Sequence, residues 1–425
     1  MFTVYLANYW PRLMEEVVRF VPKVFMEDVM IETKIEAERT VEPLNQEIIP
    51  ELINAAGPCI TLLLPPYRPG EPSETAAALL KTDLQQAAKD LAARKISEPL
   101  TAALLEPLRQ LSHEEESLAG SGSTRVIFRS HGTFRQFALP VPPSPGRACT
   151  VGDCFWIRPI LASLALPAHV YVLEVTKKAV SLLACGFTGV AHLELPKGTP
   201  QTLDEALGFD PPDHDLMNRS AAGPSSGTMA GVLFGTGSGR ETQHAHLHDF
   251  YRTVDRGVSD LLRSSNAPLI LAGVDEDVAI YRSVSAYSNL LDRGIHGSPG
   301  ASPGGTMSSI QLLRYAHDIA LFDFQRRAAL QMEGFREHLA PGRFATDLDF
   351  ILRAAVEGRV SDLYLDENGR RLGTFAGKVF GGRTNWHDED LLNVAAVETL
   401  RTGGMVYSLP SHLMNGAVAA AALRY

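Results

Sequence analysis

Long apolar runs are missing from this chain of 425 residues, and so is any excess of basic charge. No hydrophobic stretch approaches the ~20 residues that cross a bilayer, so no membrane partner is expected. Near the start, Pro11, Glu15, Glu16 and Pro22 interrupt the apolar residues of 1–26. That pattern forms neither a signal-peptide core nor an anchor, and the cytoplasm is the expected location. Cysteine is scarce, with only Cys59, Cys149, Cys154 and Cys185. Cys149 and Cys154 are spaced wrongly for a zinc knuckle, and the other two sit in apolar runs. All four read as small buried hydrophobes in a reducing compartment. A net charge of −10 argues against nucleic-acid binding over the whole surface, because phosphate contacts need clustered Lys and Arg. A local basic patch stays open.

Familiar chemical motifs are missing too. There is no Gly-x-Ser-x-Gly elbow, and Ser121 and Ser238 have no assignable His or Asp partner. The run 235–240, Gly-Thr-Gly-Ser-Gly-Arg, lacks the Lys-Ser/Thr ending of a phosphate loop, and Arg240 stands where a dinucleotide fingerprint needs its last glycine. It could still hold an anion before a helix, with Arg240 adding charge. A flexible loop is the simpler reading. In 243–249, Gln-His-Ala-His-Leu-His-Asp, His244 and His248 share a helical face, as two metal ligands would. No glutamate follows the first histidine and no third ligand can be assigned, so water-facing imidazoles at a helix start are expected and no metal or cofactor is assigned. Asp275, Glu276 and Asp277 read as charge at a helix N-terminus rather than an acid–base cluster. Trp156, Trp386 and the tyrosines show no interleaving with basic residues, so no stacking platform can be read.

What the sequence does carry is alternation of strands and helices. The runs 59–64, 125–129, 134–139, 169–175, 179–185 and 190–195 have strand patterning, several as hairpins. Helical spacing of apolar residues marks 75–91, 248–262, 307–339, 347–357 and 388–401. The run 267–273, Ala-Pro-Leu-Ile-Leu-Ala-Gly, predicts a buried strand closed by a glycine turn and followed by an acid-rich helix start. Further strands are predicted at 361–365 and 405–409. Gly/Pro/Ser-rich stretches at 140–146, 210–239 and 297–305 divide the chain. The first and third suit domain boundaries; the second is a long loop inside a domain. The result is an α/β, α+β multidomain protein.

The order of these blocks resembles the bacterial branch of the archaeo-eukaryotic release factor and Pelota superfamily. The matching pieces are 58–65 (Pro-Cys-Ile-Thr-Leu-Leu-Leu-Pro), 126–128, 169–175, and 250–255 leading to 268–273. In the last third they are 354–360 (Ala-Ala-Val-Glu-Gly-Arg-Val), 390–396, and the Gly-Gly-Met-Val-Tyr ending at Tyr407. The resemblance implies three domains. These are an N-terminal α/β domain (49–147, after an extension 1–48), a ribonuclease H-like middle domain (148–292) and an L7Ae-like C-terminal domain (293–425). It also implies entry to the ribosomal A site and a Gly-Gly-Gln loop for peptidyl-tRNA hydrolysis. Here that stretch, 235–243, reads Gly-Thr-Gly-Ser-Gly-Arg-Glu-Thr-Gln, so Gly237, Gly239, Arg240 and Gln243 form the candidate functional loop. The codon-reading Asn-Ile-Lys-Ser is also missing after Pro66.

Three readings follow. The first is a non-enzymatic ribosome-associated factor for rescue, hibernation or stress, with the ribosome, its RNA or tRNA as partner. The second is a peptidyl-tRNA hydrolase using the 237–243 loop. The third is a protein-interaction scaffold away from the ribosome, which the acidic balance would suit.

Overall fold

The computed structural model describes residues 41–55, 57–66, 73–111, 124–187, 189–208, 237–264, 267–297, 307–375 and 386–425. Strands β1 (Val41–Pro43), β2 (Cys59–Leu64), β3 (Thr124–Arg129), β4 (Phe134–Leu139) and β5 (Ala148–Gly152) form one sheet in the order β1-β4-β3-β2-β5. β1 runs parallel to β4; the other pairs are antiparallel. Every residue of β2 is buried, because the sheet is covered on both faces. Side chains alternate across a strand. Ile60, Leu62 and Leu64 therefore meet the helices Ser73–Ala93 and Glu98–Leu111. Cys59 and Leu63 face a second core on the other side.

Two expected boundaries move. Leu44 and Ile48 are core residues and β1 pairs with β4, so the sheet takes in residues assigned to the 1–48 extension. β5 pairs with β2, so the sheet also runs past 147. A three-residue edge strand and a half-buried one bury too little to show period-two patterning. The helix Glu98–Leu111, with Pro107 inside it, is a further element absent from the sequence reading.

The middle sheet has the order β10-β9-β6-β7-β8, from β6 (Val170–Val175), β7 (Val180–Cys185), β8 (Val190–Leu193), β9 (Leu269–Gly273) and β10 (Ile295–His296). β6, β7 and β8 are an antiparallel meander, while β9 and β10 run parallel to β6. The buried strand predicted at 267–273 is present, but β10 lies beyond it, past the expected boundary at 292. Leu173, Leu182 and Leu271 pack under the helices Gly237–Leu262 and Asp275–Val284. Val172, Leu183 and Ile270 point to the opposite face, where the helix Ser309–His338 lies. Asp255 ties the first two helices together. Its buried carboxylate accepts bonds from Tyr281 Oη (3.1 Å), Ser285 Oγ (2.6 Å) and Ala286 N (2.8 Å).

The helix Ser309–His338 starts at a capping box formed by Ser308 and Gln311. Its first half buries Leu312, Ala316 and Ala320 against the middle sheet. Its second half buries Ala328, Ala329 and Met332 against a third sheet. At 3.6 residues per turn these two faces are roughly half a turn apart. The third sheet, order β11-β16-β12-β15, consists of β11 (Phe344–Ala345), β12 (Val360–Asp366), β15 (Met405–Leu409) and β16 (Ala419–Leu423). A separate hairpin joins β13 (Leu372–Phe375) to β14 (Trp386–Asp390). The helix expected over 388–401 therefore starts only at Leu391, with Asp390 as its N-cap.

β16 is an alanine-rich strand. It sits between β11 and β12 and is buried throughout, although alanine is depleted in strands and the pattern gives no sign of it. Its short side chains let the helix Leu348–Val356 lie close to the sheet, while Leu391–Arg401 packs over β12 and β15. These helices, with Leu363, Leu365, Ala419 and Ala421, share one hydrophobic core with Cys59, Leu63, Val126, Phe128 and Phe155. The first and third sheets are therefore bound through one core, although the middle sheet separates them in sequence.

Candidate functional site

The run expected to form a functional loop is helical from Gly237 onward. Gly237, Gly239, Arg240 and Gln243 occupy the first turns of Gly237–Leu262, and the long stretch 209–236 that precedes them lies outside the described residues. Three glycines and polar residues suggest a loop. The amphipathic segment with Leu247, Phe250, Tyr251 and Val254 buried instead extends the helix backward, since adding a turn to an existing helix is cheap. His244 and His248 are on this helix as expected. His244 is exposed, with Nε2 3.7 Å from Glu276 Oε1, and His248 is half-buried. Among the described residues no group of three His, Cys, Asp or Glu side chains is arranged to hold a metal ion.

Asp275, Glu276 and Asp277 fill the first turn of their helix, where the macrodipole favours negative charge. The N-cap itself is Val274, with no side-chain bond. Glu276 pairs with Lys177 (2.7 Å), which holds its carboxyl below the usual range. Asp277 is buried, and burial raises its pKa.

A concave feature lies elsewhere, a cleft of about 640 Å³ between the first sheet and the β13–β14 hairpin. Its walls include Arg94 and Lys95 at the end of the helix Ser73–Ala93, Cys149 within β5, Asp153 just after it, and Trp156. From the third unit come Arg370, Glu389, Asp390 and Asn393. Gly152 leaves room for Glu389: a Cβ at that position would sit 2.7 Å from Glu389 Oε2. Glu389 Oε1 accepts from Asp153 N (2.8 Å) and lies 3.3 Å from Arg94 Nη1. Burial raises its pKa, and the Asp153 backbone bond and the Arg94 charge oppose that rise.

Behind Glu389, Asn393 is almost fully buried and reads backbone on both sides. Its Oδ1 accepts from Ile157 N (2.9 Å) and Arg158 N (3.4 Å), and its Nδ2 donates to Phe155 O (3.0 Å). Arg158 reaches across the same junction to Asp390 Oδ2 (2.6 Å), Gly369 O (2.8 Å) and Asp366 O (2.6 Å). Arg401 closes the far side with a bond to Ile53 O (2.6 Å).

Glu389 and Asp390 are thus paired across the junction, with Arg94 and Arg158. The Cys149 thiol, pushed up to about 12 by burial and then by Asp83 and Asp90, stays protonated and is a poor nucleophile. This arrangement is a polar joint that fixes two units together; it does not assemble a nucleophile with a base. Sequence reasoning misses it because its partners lie more than 200 residues apart. Asp390, Asn393 and Arg158 each look unremarkable within their own segments.

The fold defines a class: a multidomain α/β protein whose described residues form three sheets of four or five strands in chain order, with a separate two-stranded hairpin. Within that class, the family model for bacterial archaeo-eukaryotic release factor family 3 matches residues 169–359, in keeping with the resemblance read from the block order. No curated protein matches the chain. Solved structures similar to it include an archaeal translation termination factor, aRF1, at 14% identity. That alignment covers 90% of this chain and 99% of the other, with a TM-score of 0.24. Pelota from Archaeoglobus fulgidus is 13% identical over 72% of this chain and 80% of its own, at a TM-score of 0.33. Pelota from Thermoplasma acidophilum is 9% identical over 71% and 80%, at 0.22. No helix among the described residues is long and apolar enough to cross a membrane.

Proposed function

We propose that this chain is a ribosome-associated factor of release factor and Pelota type that acts in rescue, hibernation or stress and docks by shape. The observation that carries the reading is where the family match falls. It starts at residue 169, one residue before β6, and ends at 359, one residue before β12. It therefore takes in the whole middle sheet, the connecting helix Ser309–His338 and the first helix of the third unit. The middle sheet supports the ribonuclease H-like assignment. Numbered from β6, its strands stand in the order 3-2-1-4-5, with only the second reversed. The four-stranded third sheet between helices is the L7Ae-like domain in this reading. In this reading the three domains follow the sheets: β1 to β5, β6 to β10, and β11 to β16.

Stop-codon-dependent release is outside the proposal. Gln243 stands in a helix, and 235–243 contains no Gly-Gly-Gln. The decisive experiment is sedimentation of the purified chain with ribosomes from stressed and unstressed cells at low salt. Co-sedimentation that increases with ribosomes from stressed cells is expected, and a chain that stays in the supernatant with both would end the proposal.

A further inference from the structure

The junction between the middle unit and the connecting helix carries a group of arginines that the sequence does not show as a run. Three of them converge on the short segment 289–293, which itself carries the fourth, Arg293. Arg282 Nη2 donates to Leu291 O (2.9 Å) and Asp292 O (3.0 Å). Arg326 Nη2 lies 3.3 Å from Asp292 Oδ2, and Arg327 Nη2 donates to Asn289 Oδ1 (3.0 Å). Arg293 lies over the ring of Phe322, 3.5 Å from guanidinium carbon to centroid. Two carboxylates, Asp292 and Asp323, answer four guanidiniums, which leaves two positive charges locally in a chain of net charge −10. Asp318, one turn before Phe322, has Arg314 beside it and does not alter that balance.

Arg327 keeps 55% of its side-chain surface exposed and Arg326 keeps 44%, so these are screened surface pairs with N–H donors to spare. Phe322 is 37% exposed, and Tyr315, two turns earlier on the same side of the helix, is 52% exposed. A guanidinium resting on an aromatic ring keeps its in-plane N–H groups for other partners. Arginine donors next to exposed rings suit a phosphate backbone with bases able to stack.

We propose that this face, centred on Arg293, Phe322 and Arg327, binds the phosphate backbone of RNA. The proposal rests on the ribosomal reading for the source of that RNA, but the chemistry is testable without it. The probes are a labelled single-stranded RNA oligonucleotide and purified ribosomes, with the full chain and its R293Q/R327Q variant, over a series of salt concentrations. The variant is expected to bind the oligonucleotide at least tenfold more weakly at low salt. With two phosphates no longer neutralised, the slope of log K against log salt should shrink by about 1.4. R293K/R327K, which keeps the charge, should retain the wild-type slope and shows that any weakening in the glutamine variant comes from charge rather than folding.

The proposal is overturned if the glutamine variant binds RNA with wild-type affinity and slope. Binding by the wild-type chain to anionic vesicles but not to RNA would overturn it equally. If ribosomes are bound but R293Q/R327Q changes nothing, the patch assignment falls and the ribosomal reading stands. Arginine-dependent oligonucleotide binding without ribosome co-sedimentation keeps the patch and removes that reading.

Discussion

Single side chains hold this molecule together where the sequence gives least warning. Asn393 bonds the backbone of Phe155, Ile157 and Arg158 in a distant segment. Replacing it with alanine leaves two buried N–H groups without acceptors, each a cost of about 1–3 kcal/mol. Asn393→Ala is expected to lower unfolding free energy by about 3 kcal/mol in urea titration; a loss under 1 kcal/mol would mean that water takes over those bonds. His317 acts through charge. It is buried beside Phe187 and bonded to the Gly186 backbone, and burial lowers its pKa to about 4 despite that bond. The unfolded chain takes up this proton near pH 6.5, while the folded chain resists it until about pH 4. Its contribution to stability is therefore complete above pH 6.5 and is lost as pH falls toward 4, by about 3 kcal/mol in all. His317→Leu should flatten that part of the stability curve, and an unchanged slope would exclude His317 as its source.

At the scale of elements, the long and strongly patterned pieces are legible in the sequence: β2, the β3–β4 and β6–β7 hairpins, β9, and the helices Ser309–His338 and Leu348–Val356. Their burial on one or both faces produces the periodicity that reasoning from sequence depends on. The two-residue strands β10 and β11 bury too little to leave such a trace, and the alanines of β16 contradict the usual strand preference. Of the site, only the histidine helix is legible; the cleft joint and the arginine face are made by long-range folding. Gly273 ends the β9 strand as its sequence suggests, and the packing gives it a further reason. A Cβ there would meet the Val175 carbonyl oxygen at 2.4 Å, backbone against backbone. Gly273→Ala must push β9 and β6 apart, and overpacking of this kind costs about 1–3 kcal/mol. A melting temperature equal to wild type would show that the strands shift without penalty.

For the whole molecule, the shared core of the first and third sheets predicts that they open as one cooperative unit. In native-state hydrogen exchange, amides of β2 and β3 should share an opening free energy with those of β12 and β16, distinct from that of β6 and β9. Arg158→Met breaks a buried pair with Asp390 and three bonds to carbonyls. It should lower both sheets together by about 3–5 kcal/mol. Protection lost in one sheet alone would show that the joint is not the link between them.

The half-turn between the two buried faces of Ser309–His338 makes that helix a shaft whose two ends are keyed at a fixed phase. Its length in residues, more than its composition, then encodes how the outer units are aimed relative to the middle one. One residue inserted between Asp323 and Ala328 would turn the far end by about 100° and advance it about 1.5 Å. Either one set of alanines would leave its sheet, or the whole body of first and third sheets would swing round with it.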